Sequence, residues 1–238
     1  MSTFPPNNWE SSYLEVSYIS LTWPENHYWR SKKLKKIEGP QTITINEIDI
    51  LEYHKIKGIK LLSISKTPLP EISDFLPIPD INKTSIPEWR ASIGLSKTGF
   101  SSSYQGEIFT FPVKASLISI APFIQFGEDI ENYLLFLSLE KDPKNRKSTI
   151  RISDTKNPNK IRHTFEVFNN YQNIIDLNKC EFNESDMPLI SCENMTGLPL
   201  YISIDTKNKD ISIEHSHPGA SFVVHGNRWL AQKILKDA

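Results

Sequence analysis

The chain has 238 residues, 38% of them hydrophobic and 23% charged, which excludes a disordered polyelectrolyte. Its 27 basic and 28 acidic side chains leave a formal net charge of −1, with no basic excess for a nucleic acid to neutralise. A chain this long buries a sizeable core without staples, and two cysteines, Cys180 and Cys192, are too few for a disulfide scaffold, so both are expected as reduced thiols.

The N-terminus has no cationic segment leading into an apolar one, and no apolar run of ~18 residues occurs. A cytoplasmic chain with no membrane span is expected. After a polar, proline-containing arm, Tyr13–Trp23 reads as a strand. Leu14, Val16 and Tyr18 share one parity and Ile19, Leu21 and Trp23 the other, a phase slip that marks a bulge. Arg30–Lys36, RSKKLKK, is dense in cations. A phosphate-tracking surface would interleave aromatics; lysines on a solvated strand edge, where they discourage edge-to-edge pairing, are the simpler reading. Thr42–Ile50 reads as a strand, and Leu51–Ile56 and Ile59–Ser65 as two more around a Lys57-Gly58 turn. The first 65 residues therefore predict a β-meander.

Between Lys66 and Glu88, Pro68, Pro70, Pro77, Pro79 and Pro87 oppose regular structure. Leu69, Ile72, Phe75, Leu76, Ile78 and Ile81 are too apolar for a free linker, so this stretch is expected to lie on a protein surface as an extended strap. Beyond it, Trp89–Leu95 and Glu107–Phe111 flank a polar loop, Ser96–Gly106. Ala115–Gln125 and Tyr133–Glu140 read as central strands. Thr149–Ser153 and His163–Asn169 flank the turn DTKNPNK, and Pro199–Ile204 and Ile211–Glu214 flank DTKNKD. No element is assigned between Asn170 and Leu198. Asn227 is placed to cap a closing helix with Trp229, Leu230, Lys233 and Ile234 on its apolar stripe.

Repeated strand–turn–strand units without a βαβ rhythm predict an all-β fold. The expected architecture is an antiparallel β-sandwich, or a barrel-like variant, with an N-terminal β-meander and a short C-terminal helix. It is read as one β-rich domain over 1–238. The alternative division is a meander over 1–65, a strap over 66–88 and a main sandwich over 89–238.

The phosphate-binding glycine loops, GxSxG, HExxH and CxxC are all missing. Two constellations suggest chemistry. His215 and His217 have HxH spacing, which in a strand puts both on one face. If Pro218-Gly219 turns the chain back, His225 joins them as a third nitrogen ligand. Ile211 and Ile213 share the parity of His215, which marks that face as the buried one. The HxH spacing resembles the metal strand of the cupins over those residues alone. The cupin motif continues with a Glu three or four residues after the second His, whereas residues 218–222 here are Pro-Gly-Ala-Ser-Phe. The resemblance implies one divalent transition metal such as zinc, iron or manganese. The second constellation is Trp89, Arg90, Tyr104, Gln105 and Glu107, with Arg228 near the end. Aromatic faces stack on sugar rings, and Arg, Gln and Glu supply directional hydrogen bonds.

The expected function is a non-catalytic binding or assembly module, without a cofactor, that contacts a glycan or a protein partner through loops and sheet faces. The alternative is a metal-dependent enzyme or metal-binding protein using His215, His217 and His225.

Overall fold

The protein is described by a computed structural model. It describes residues 2–4, 16–38, 43–45, 47–53, 55–79, 90–97, 100–105, 110–113, 116–120, 125–154, 157, 159–183, 186 and 188–215. The chain divides into two compact units. One comprises residues 1–94, 104–107 and 141–144, and the other residues 95–103, 108–140 and 145–238. The fold is all-β: every strand pairing among the described residues is antiparallel. The helical turns among those residues are two 3-10 segments, Glu47–Tyr53 and Leu177–Cys180. The expected C-terminal helix lies outside the described residues.

The first unit contains β1 (Ser2–Phe4), β2 (Val16–Glu25), β3 (Tyr28–Glu38), β4 (Ile43–Thr44), β5 (Leu61–Ser65) and β6 (Ile72–Ser73). Its main sheet runs β5-β2-β3-β6. β2 and β3 form a hairpin whose turn places Asn26 at φ 55°, a left-handed position that Asn tolerates well. The pairing slips opposite Ile19 and Ser20, but the bulge expected within β2 lies on its partner: Ile19 faces Lys35 and Ser20 faces Lys33, so the extra residue is Leu34 on β3.

Both faces of β2 are buried, which is why its alternation is imperfect. Ile19, Leu21 and Trp23 form one face, packing with Leu34, Leu62, Ile64, Ile50 and Tyr53. On the other face, buried Thr22 and Ser31 join hydroxyls at 2.9 Å, and Trp29 is fully buried with its Nε1 donating to the Lys141 carbonyl at 2.8 Å.

The expected meander is corrected in two places. Among the described residues of the Thr42–Ile50 run, Ile43–Thr44 is strand, and it pairs with β1 in a different sheet, β4-β1-β7-β8. Glu47–Tyr53 is a 3-10 turn, so Leu51–Ile56 is not a strand either. Residues three apart eclipse in such a turn, which puts Ile50 and Tyr53 together against Trp23. Burial there pushes the Tyr53 hydroxyl up to about 12, with help from Glu52. β7 (Arg90–Lys97) matches its prediction, but β8 (Phe100–Gln105) occupies the expected loop Ser96–Gly106.

The second unit contains β9 (Ser116–Ile120), β10 (Ile130–Leu137), β11 (Lys147–Asp154), β12 (His163–Phe168), β13 (Gln172–Asp176), β14 (Pro188–Cys192), β15 (Leu198–Asp205) and β16 (Asp210–His215). They make two sheets, β13-β10-β15-β16 and β12-β11-β14-β9. One core cluster joins them: Leu134, Phe136, Ile175 and Tyr201 from the first, and Ile150, Ile152, Val167 and Ile190 from the second. The polar turn read between β15 and β16 is present. Asp205 closes the β15–β16 turn by accepting from the backbone of Lys207 and Asn208, and those bonds hold its carboxyl below the usual range.

β13 and β14 escaped the sequence reading. β13 puts Asn173 at an inward position. Its amide donates to the Phe136 and Phe168 carbonyls and accepts from the Phe168 N–H, so it stitches three strands with a residue that reads as loop. β14 opens with Pro188 and is short and apolar, which gives no periodicity to read.

Cys180 and Cys192 are both free thiols buried in this core. Burial pushes the Cys180 thiol from an ordinary 9.0 up to about 11, with Asp176 adding to it and Arg162 opposing. Because the folded value is raised, the stabilisation is complete below pH 9.0 and is lost as pH rises to about 11. Stability should fall by on the order of 2–3 kcal/mol over that window, and Cys180→Ala should flatten the drop. Denaturation midpoints measured from pH 8 to 11 check this. Both thiols should also resist a water-soluble disulfide reagent until the protein unfolds.

Candidate functional site

The described part of the strap, residues 66–79, changes direction near Asp74 and Phe75 and is held at several points. β6 pairs with β3 at Trp29–Ser73 and Arg30–Ile72. Ser31 N–H donates to the Glu71 carbonyl at 2.9 Å, and Leu76 N–H to the Lys141 carbonyl at 2.9 Å. The same Lys141 carbonyl receives the buried Trp29 indole. A proline-rich segment with these anchors has little backbone freedom left to lose on binding.

Its side chains follow a period of three. Ser73, Leu76 and Pro79 are half-buried. Ile72, Phe75 and Ile78 stand outward, 55%, 63% and 77% exposed. Together they form an exposed apolar row on the strap. Glu71 and Asp74 beside it are exposed. Large exposed apolar side chains elsewhere, such as Leu51 and Ile174, belong to other elements.

Beyond β6 the edge of β3 carries the cation run. Lys32, Lys33, Lys35 and Lys36 are all exposed, which agrees with a solvated strand edge. Lys33 lies 5.8 Å from the centre of the Tyr18 ring and Lys36 pairs with Glu38 at 2.6 Å.

The residues expected to form a site are placed unevenly. Arg90 opens β7, and Tyr104 and Gln105 end β8, so these three sit in strands of one sheet rather than in a loop. Trp89, Glu107 and Arg228 lie outside the described residues. His215 ends β16 opposite Leu200, and His217 and His225 lie outside the described residues. Leu200, Ile202 and Ile204 take the parity that faces Ile211, Ile213 and His215 in register, while the core draws on Tyr201. The face shared by Ile211 and Ile213 is therefore the one turned away from the core around Phe136, although Leu200 on that face is buried as well. Alternation alone cannot say which side of a two-sided sheet holds the larger core. No grouping of three metal-ligating side chains occurs among the described residues.

The strap ridge was legible only in part. Its apolar content was visible in the sequence, but an exposed ridge and a buried one have the same composition. No protein-family model, curated protein or solved structure matches the chain.

Proposed function

We propose that the protein is a non-catalytic binding module and that the ridge Ile72, Phe75, Ile78 contacts a protein partner. The observation that carries this reading is the exposure of three large apolar side chains, in register, on a strap pinned by backbone hydrogen bonds. Exposed contiguous apolar surface is costly in water and usually marks an interaction surface. An aliphatic ridge with one phenyl ring offers few directional hydrogen bonds, which suits an apolar protein groove better than a sugar. Exposed Glu71 and Asp74 favour a groove with basic groups at its rim.

The test is site-specific photo-crosslinking with the label at Asp74 in the full chain. A discrete adduct is expected in cells expressing the labelled protein, and Phe75→Ser with Ile78→Ser should abolish it. Exposed positions tolerate such changes, so the melting temperature should shift by less than about 2 °C. An adduct that persists in the double variant, or no adduct at all, would refute the ridge as the contact.

A further inference from the structure

The edge of β3 holds a second feature that the ridge does not use. β6 covers β3 only at Trp29 and Arg30, and the Ser31 N–H is taken by Glu71. From Lys32 to Glu38, β3 has no strand neighbour on that side among the described residues. Seven residues of open edge span about 23 Å, enough for one added strand laid end to end with β6.

The charges along this edge are distributed over both faces. Lys32 is paired in register with Leu21 and Lys35 with Ile19, which puts both on one face. Lys33 is paired with Ser20 and Lys36 with Tyr18, on the other. The Leu34 bulge sets which lysines share a face, since an unbroken strand would put Lys33 with Lys35 and Lys32 with Lys36. Neither Lys32 nor Lys35 has an ion pair among the described residues. Two such edges repel each other, so a second copy of the chain is disfavoured as the added strand. An acidic strand meets a cation on each face.

We propose that the open edge Lys32–Glu38 takes up an extended acidic segment of a partner protein as an added β-strand. Main-chain hydrogen bonds hold the segment, and the four lysines select its charge. The lysine edge and the strap ridge are separate surfaces, so Phe75→Ser, which disables the ridge, leaves this binding unchanged.

The probe is a fluorescein-labelled heptapeptide, TEEVEET, titrated into the full-length protein at low salt by fluorescence anisotropy. Saturable binding is expected. The pair Lys32→Glu and Lys35→Glu should weaken it by about tenfold or more, with an unchanged circular dichroism spectrum. Lys32→Gln with Lys35→Gln should give an intermediate loss and serves if the charge reversal disturbs folding. TEEVEET N-methylated at alternate amides keeps the charges and loses the backbone donors, and it should fail to bind. Equal binding by the N-methylated peptide would overturn the proposal in favour of plain charge attraction. Equal competition by a heparin octasaccharide would overturn it in favour of a general polyanion contact. Absence of binding by TEEVEET at low salt would leave the lysines as protection of a bare edge and end the idea.

Discussion

Gly197→Ala should destabilise the second unit by about 3 kcal/mol. Gly197 precedes β15, where the chain passes close beneath β10. A β-carbon there would fall 2.6 Å from the Leu137 carbonyl oxygen and 2.6 and 2.7 Å from two ring carbons of Phe136. Neither neighbour yields easily. The Leu137 carbonyl belongs to a strand paired on both sides. The Phe136 ring is fully buried in the core. The approaching segment is itself tied down, since Ser138 Oγ donates to the Thr196 carbonyl at 2.7 Å. The added methyl therefore displaces either the ring or the strand. The denaturant midpoint of the transition assigned to this unit measures the loss. Phe136→Leu added to Gly197→Ala should recover part of it, because the smaller side chain vacates the clash. A loss below about 0.5 kcal/mol would mean that the segment relaxes freely.

Trp29→Ala should cost the first unit about 4 kcal/mol. Trp29 has no exposed surface, so its removal opens a cavity under β2 and β3. It also removes the indole donor to Lys141 while leaving Leu76 as that carbonyl's other partner. Trp29→Phe separates the two contributions. It keeps much of the packing and loses the hydrogen bond, at a cost of about 1 kcal/mol, because the carbonyl is still partly satisfied. Limited proteolysis provides a second readout. Since β6 pairs with Trp29 and Arg30, loosening this site should speed cleavage within residues 66–79 in Trp29→Ala and much less in Trp29→Phe. Equal cleavage in wild type and Trp29→Ala would show that the strap is not held by this residue.

Legibility varied along the chain for identifiable reasons. β10, β11, β12, β15 and β16 were readable because apolar runs or alternation were bounded by Asp- and Asn-rich turns, such as the one closed by Asp205. β2 was visible as an apolar run whose parity change reflects burial of both faces, but nothing in β2 could show that the partner strand carries a bulge at Leu34. The Glu47–Tyr53 turn was misread because isoleucines two and three apart fit a strand and a 3-10 turn alike. β13 was invisible because Asn173 occupies a core position by hydrogen bonding rather than by apolarity.

The candidate surfaces divide in the same way. The amino-acid sequence alone determined the all-β class, the antiparallel hairpins, the proline strap and the solvated lysine run. Each depends on local physics: alternation, turn chemistry, the missing proline N–H, and the cost of burying a charge. Only the tertiary structure decided which strands share a sheet, that Ile211 and Ile213 face away from the core around Phe136, that Ile72, Phe75 and Ile78 stand in solvent, and that β6 stops short of Lys32. Those depend on register and on what lies opposite each face. A one-residue shift in register exchanges the two faces of a strand without changing its composition.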